Sequence, residues 1–257
     1  MSTAYAPGAL RWPAGGSAYP RDMPADVRLL SYNIRSLRDD TAALARVVRA
    51  CAPDVVAFQE APRFFGWRRR ARHLARATGL LYLTGGAPTC GPMLMTTLRP
   101  IAERTLEETL PYTPGLHRRG LAGAVLRFGA GSRLAVVSCH LGLRAAERRR
   151  HALLVRERLT ALGAPAAVLA GDLNEPPGGP AFRLLTRDLT DAWLAAPDGG
   201  EHTYPATGPR SRIDAVLTTP QVKVVGCGVP HGRPGVTARD LRAASDHLPV
   251  LATLRIP

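Results

Sequence analysis

Five short apolar runs in this chain each carry, at or near their end, a polar residue of acid–base or metal-ligand type. Leu29-Leu30-Ser31-Tyr32 leads to Asn33, Val55-Val56-Ala57-Phe58 to Gln59 and Glu60, and Val136-Val137-Ser138-Cys139 to His140. Val168-Leu169-Ala170-Gly171 leads to Asp172 and Asn174, and Ser245-Asp246-His247 stands before Leu248-Pro249-Val250. Polar groups are costly at the ends of buried strands unless something uses them. Such a set, spread over the whole chain, points to one shared site where strand ends meet.

The 257 residues, 46% of them apolar, suit one domain with a sizeable core. A formal charge of +14 is carried almost wholly by arginine, with Lys223 the single lysine. Such a surface attracts phosphate-rich partners or anionic membranes, and serves equally as plain solubility charge. Cys51, Cys90, Cys139 and Cys227 lie far apart, without zinc or redox-dithiol spacing, and read as reduced small hydrophobes. No charged-then-apolar leader and no run of membrane-spanning length is present, so a cytoplasmic monomer is the expectation.

Residues 1–26, rich in Ala, Pro, Gly and Ser, are expected to be disordered, with the folded domain over 27–257. Beyond them, strand-like runs alternate with helical patterns. One helix is expected from an Asp40 or Thr41 cap to just before Pro53. Others are expected from Phe64 to about Thr78, from about Ala145 to Leu162, and after Pro180. Between Leu121 and Leu141, two strands are joined through Gly129-Ala130-Gly131-Ser132. This mixture of hairpins and crossovers predicts α/β layers, with ligands at the carboxyl ends of strands.

At period two, Glu60 shares a face with Val56 and Phe58 and needs a cation or a donor there. Taken alone it also reads as a capping or salt-bridged glutamate. Asp172 and Asn174 leave the backbone on one side, Gly171 admits close approach of another strand, and a turn is the competing reading. His140 and Cys139 face opposite ways, which argues against a cysteine–histidine dyad. Ser138 is about 7 Å along the strand from His140, beyond hydrogen-bond reach. A lone His140 would be an ordinary core histidine. Asp246 adjoins His247 and is badly placed to orient its ring, whereas Asp214, entering the apolar run Ala215-Val216-Leu217, is a better partner.

In series, Tyr-Asn-Ile, Gln-Glu, Cys-His-Leu, Gly-Asp-Leu-Asn, Arg-Ile-Asp and Ser-Asp-His-Leu-Pro-Val resemble the endonuclease/exonuclease/phosphatase superfamily from Val27 to Ile256. That superfamily includes deoxyribonuclease I, AP endonucleases, sphingomyelinases, inositol-polyphosphate 5-phosphatases and deadenylases. The resemblance implies a deoxyribonuclease I-like α/β fold: a four-layer sandwich of two packed mixed β-sheets flanked by helices. It also implies phosphoester hydrolysis dependent on Mg²⁺ or Mn²⁺. Glu60, with Asn33 and Asp246, would hold the metal. Asp172 would activate water and Asn174 would position it. His140 and His247 would donate to phosphate oxygens, with Asp214 fixing the His247 tautomer. The metal and histidines suit charge that grows on phosphoryl oxygens.

Departures from the family pattern are Arg35 where AP endonucleases carry Asp, Gly91-Pro92-Met93 for the usual Gly-Asn-Ala, and Cys139 for Thr. Arg63, Arg68, Arg69, Arg70, Arg72 and Arg76 suit either a solvated helix face or a track for a phosphate backbone. No aromatic interleaves among them as a base-stacking platform would need. Arg144, Arg148, Arg149 and Arg150 share that ambiguity, with Glu147 and Glu157 expected to pair locally. The expected activity is a metal-dependent phosphodiesterase or nuclease. The alternatives are a phosphatase or a lipid or sugar phosphodiesterase of the same fold and, less favoured, a non-catalytic nucleic-acid-binding module.

Overall fold

The computed structural model describes residues 24–257. The expected disordered lead-in lies outside the described residues except for its end, where Ala25 and Asp26 already pair with Ile256 and Arg255. In chain order the strands are β1 (Ala25–Asn33), β2 (Val55–Gln59), β3 (Leu81–Gly85), β4 (Met93–Thr96), β5 (Ile101–Thr109) and β6 (Gly120–Phe128). They continue as β7 (Ser132–His140), β8 (Ala166–Asp172), β9 (Thr190–Asp191), β10 (Asp214–Thr218), β11 (Lys223–Gly228) and β12 (Val250–Ile256). The helices are α1 (Thr41–Cys51), α2 (Trp67–Thr78), α3 (Ala145–Ala161), α4 (Pro180–Leu185), α5 (Ala192–Ala195) and α6 (Ala238–Ala244).

One sheet runs β11-β12-β1-β2-β4-β3 and the other β5-β6-β7-β8-β10-β9. In each, one central pair is parallel (β1 with β2, β7 with β8) and the remaining pairs are antiparallel. The central strands are apolar on both faces, and that follows from where each face goes. Val27, Leu29, Val55 and Ala57 meet Leu134, Val136, Val168 and Ala170 in a core between the sheets. Their neighbours Leu30, Tyr32, Val56 and Phe58 pack under α1, α2 and α6, while Ala135, Val137, Ala167 and Leu169 pack under α3 and α4. Strands buried on both faces read as continuous apolar runs. The four expected layers are therefore present.

Helix α1 is capped by Asp40, whose carboxylate accepts from the Ala42 and Ala43 amides. Helix α2 begins at Trp67, three residues later than expected, because Gly66 turns the chain through φ 75°. The hairpin forms as expected, with Phe128 opposite Ser132. Strand β5 gave no apolar signal because it is an exposed edge carrying Glu103, Arg104, Glu107 and Glu108, and charge is a common protection of such edges.

Gly171 lies in β8 where an added Cβ would stand 2.1 Å from the Cys139 carbonyl oxygen. Gly171→Ala is predicted to cost about 1–3 kcal/mol by forcing β7 and β8 apart. A calorimetric melt should show a loss of several degrees, and an unchanged Tm would contradict this packing.

Candidate active site

Strand direction brings the marked residues to one edge of the sandwich. Asn33, Gln59, His140 and Asp172 close the parallel strands at their carboxyl ends. Asp214 opens β10, which runs antiparallel to β8, and so stands opposite Asp172. Residues 245–249 lead into β12, antiparallel to β1, and Ser245 Oγ donates to the Asn33 carbonyl at 2.7 Å.

Asp172, 1% exposed, is the hub. Its Oδ2 accepts from Asn33 Nδ2 at 2.9 Å and lies 3.3 Å from His140 Nε2 and 3.8 Å from His247 Nε2. Its Oδ1 accepts from the Asn174 amide at 2.9 Å, a turn that holds Asn174 at φ 50°. Asn174 Nδ2 donates to the Leu141 carbonyl and lies 3.0 Å from His140 Nε2. Burial and the neighbouring Asp214 charge raise the Asp172 pKa to about 7.

His247 Nδ1 meets Asp214 Oδ2 at 2.9 Å, as the sequence suggested, and its ring packs against Tyr204. Burial alone would lower its pKa, but the Asp214 carboxylate outweighs that, aided by Asp172 and Asp246, and raises it to about 10. His247 is therefore cationic at neutral pH, with Nε2–H turned towards Asp172.

Glu60 does not continue the Val56–Phe58 face. The strand stops at Gln59, and Glu60 takes φ 50° while its carbonyl accepts from Ser36 N. Gln59 is instead the inward residue, tying the sheets together through Nε2 to Ser138 Oγ at 3.1 Å. Among the described residues nothing donates to the Glu60 carboxylate. Asp246 is held by Arg35 at 3.4 Å, and Asp214 Oδ1 is buried without a partner. Glu60 follows Gln59, the register partner of Asn33, and Asp246 follows Ser245, so both flank Asn33.

Hard oxygen donors of this kind suit Mg²⁺ or Mn²⁺. Asp172, Asp214 and His247 also offer ligand atoms within 4.8 Å of one another. A cation among those three would compete with the Asp214–His247 hydrogen bond, whereas Glu60 is uncommitted.

One residue at this edge escaped the sequence reading. Arg119, 5% exposed, places Nη1 3.1 Å from His140 Nδ1, and its Nε has no partner. No carboxylate lies within ion-pair distance of it among the described residues. The signal was its position directly before the β6 run, at the end of β6 that borders the end of β7. Glu147 also differs from expectation. It is buried and accepts from the Thr113 amide, while Arg148 pairs with Glu175. Glu157 does pair locally, with Arg158.

The Endonuclease/Exonuclease/phosphatase family model matches residues 30–247, and the chain belongs to that family. An endonuclease/exonuclease/phosphatase from Bacteroides vulgatus shares its fold with a TM-score of 0.75 at 21% identity, over 91% of this chain and 100% of that one. A Bacteroides thetaiotaomicron mannosyl-6-phosphatase does so with a TM-score of 0.73 at 18% identity, over 89% and 99%. D. rerio TDP2, complexed with a single-strand DNA product, gives a TM-score of 0.66 at 19% identity, over 90% and 99%. No curated protein matches the chain. No described helix is long and apolar enough to cross a membrane.

Proposed function

We propose that this chain is a divalent-metal-dependent phosphodiesterase acting on nucleic acid by in-line attack of water. The observation that carries the reading is the buried Asp172, raised to about 7 and gathered with Asn33, His140, Asn174 and a cationic His247 at the strand edge that Glu60 and Asp246 adjoin. Glu60 and Asp246, with Asn33, would hold Mg²⁺ or Mn²⁺. That ion would neutralise charge on the phosphoryl oxygens. Asp172 takes the proton of the attacking water, and a pKa near the working pH is what such a base needs. Asn174 and Asn33 keep its carboxylate oriented. His247 donates Nε2–H to a non-bridging oxygen, and Asp214 fixes the ring.

The nucleic-acid substrate is supported by α2. Arg68, Arg69, Arg70, Arg72 and Arg76 are exposed, and none has a carboxylate partner among the described residues. Aromatic residues do stand beside them. Phe64 and Phe65, which fall between Arg63 and Arg68 in the loop before α2, are exposed, Phe65 fully, which corrects the expectation that no aromatic interleaves among these arginines. Replacing Arg68, Arg69 and Arg70 together by Gln is predicted to flatten the log–log salt dependence of duplex binding by about 2–3 units. Hydrolysis of a small chromogenic phosphodiester should survive. An unchanged slope would mark α2 as a solvated face and move the substrate towards a small or lipid phosphoester.

A screen with Mg²⁺ and Mn²⁺ over plasmid DNA, abasic DNA, RNA, sphingomyelin and sugar and inositol phosphates tests the class, with Asp172→Asn as control. Turnover of a nucleic acid, abolished in the control, is the expected result. Turnover confined to a phosphomonoester would replace phosphodiesterase by phosphatase.

A further inference from the structure

His140 and His247 stand on either side of Asp172 but have opposite partners. His247 faces a carboxylate, Asp214. His140 faces a guanidinium, that of Arg119, at 3.1 Å from Nδ1. Arginine has donors and no acceptor and stays protonated in proteins. A hydrogen on His140 Nδ1 would therefore point at another hydrogen. The ring must accept at Nδ1, and a neutral imidazole that accepts at one nitrogen carries its hydrogen on the other. That hydrogen sits on Nε2, 3.3 Å from Asp172 Oδ2. Asn174 Nδ2 lies nearer still, 3.0 Å from Nε2, but it has two hydrogens and no lone pair to offer, one hydrogen going to the Leu141 carbonyl, so Asp172 Oδ2 is the acceptor beside Nε2.

We propose that Arg119 is a positioning residue that locks His140 as the neutral Nε2–H tautomer, so that His140 serves as a fixed donor to Asp172. The catalytic consequence rests on the function proposed above; the tautomer does not. The two histidines then divide the work. His247 brings a positive charge to the phosphate. His140 brings no charge and holds the lone pairs of the base in place beside the Asn33 amide.

Two further observations fit this role. Burial and the Arg119 charge both disfavour the imidazolium of His140, and His247, Arg63 and His117 add to the effect. Arg119 itself is an expensive way to fill space: it is buried, unpaired with a carboxylate, and leaves Nε without an acceptor. Its charge is offset only at longer range, chiefly by Asp172 and Glu60, and replacing buried ionic groups by apolar ones of similar size is often neutral or stabilising. A residue present for stability alone would not be chosen this way.

The test is two-dimensional ¹⁵N–¹H NMR of the histidine rings in the full chain, with Arg119→Met and Arg119→Lys beside the wild type. The wild type should show His140 with a protonated Nε2 and an unprotonated Nδ1 across neutral pH. Arg119→Lys, which keeps a cationic donor, should retain that pattern. Arg119→Met should lose it, giving mixed tautomers or an imidazolium, while its Tm stays level or rises. On a phosphodiester that the wild type hydrolyses, Arg119→Met should lower kcat by about 10- to 100-fold, as for other groups that orient a reacting residue, with KM little changed. A wild-type ring protonated on Nδ1, or an unaltered tautomer in Arg119→Met, would overturn the proposal. A wild type that hydrolyses no phosphoester would defeat the proposed function instead, and the spectra would still decide the tautomer.

Discussion

Asp172→Asn should abolish most phosphoester hydrolysis while leaving a folded protein. An amide cannot take the proton of the attacking water, and a positioned general base contributes about 10²–10⁴ in rate. Stability should respond differently. The Asp172 pKa is about 7 in the fold against 3.8 for an ordinary aspartate, because burial and Asp214 disfavour the charged form. The fold therefore binds the Asp172 proton more tightly than the unfolded chain does. This favours the fold most below pH 3.8, and the advantage shrinks as pH rises to about 7. Above that the ionised carboxylate is a burden that Asn removes. The variant forfeits the hydrogen bond from the Asn174 amide to Oδ1. The two effects oppose each other, so at pH 8 the Tm of Asp172→Asn should lie within a few degrees of wild type. Rate assays and calorimetry at that pH check both halves. Loss of rate accompanied by unfolding would mean that Asp172 is a structural group.

His247→Ala should lower turnover by about 100- to 1000-fold, the usual cost of removing one preorganised donor to a developing oxyanion. Asp214→Asn should be milder, since the ring remains and only its charge and orientation suffer. The pH dependence of stability separates the two effects. His247 has a folded pKa of about 10 against 6.5 for a free histidine. Its pairing with Asp214 thus stabilises the fold fully below pH 6.5, progressively less as pH rises, and not at all above about 10. Melting curves in chelator should place Asp214→Asn furthest below wild type near pH 6. The gap should close towards pH 10. A gap that widens with pH would mean that the pair is not His⁺–carboxylate.

The sequence made the strand ends legible because a polar residue closing an apolar run is visible without coordinates. Asn33, His140 and Asp172 all close such runs, while Asp214 opens one, and Asp172, Asn174, Asn33 and both histidines do converge. The Asp214–His247 pair was readable by elimination, since Asp246 adjoins His247 and cannot face its ring. Arg119 was hidden among arginines, because Arg118 and Arg119 read alike as surface charge and only the pairing of β6 with β7 buries the second of them. Glu60 was assigned to a strand face because period two extends past Gln59 on paper, whereas the chain turns there through a left-handed φ. Strand β5 was missed for the opposite reason: its stability comes from pairing with β6, and an exposed charged edge leaves no apolar pattern.

The most direct test of the account is hydrolysis of bis(p-nitrophenyl) phosphate by the full chain, first in EDTA and then with Mg²⁺ or Mn²⁺ restored. Glu60→Gln is assayed alongside over a metal titration. No turnover in chelator, recovery on adding either metal, and a higher metal requirement in Glu60→Gln are the predicted results. Equal rates with and without chelator would contradict a metal-dependent phosphoesterase at this site.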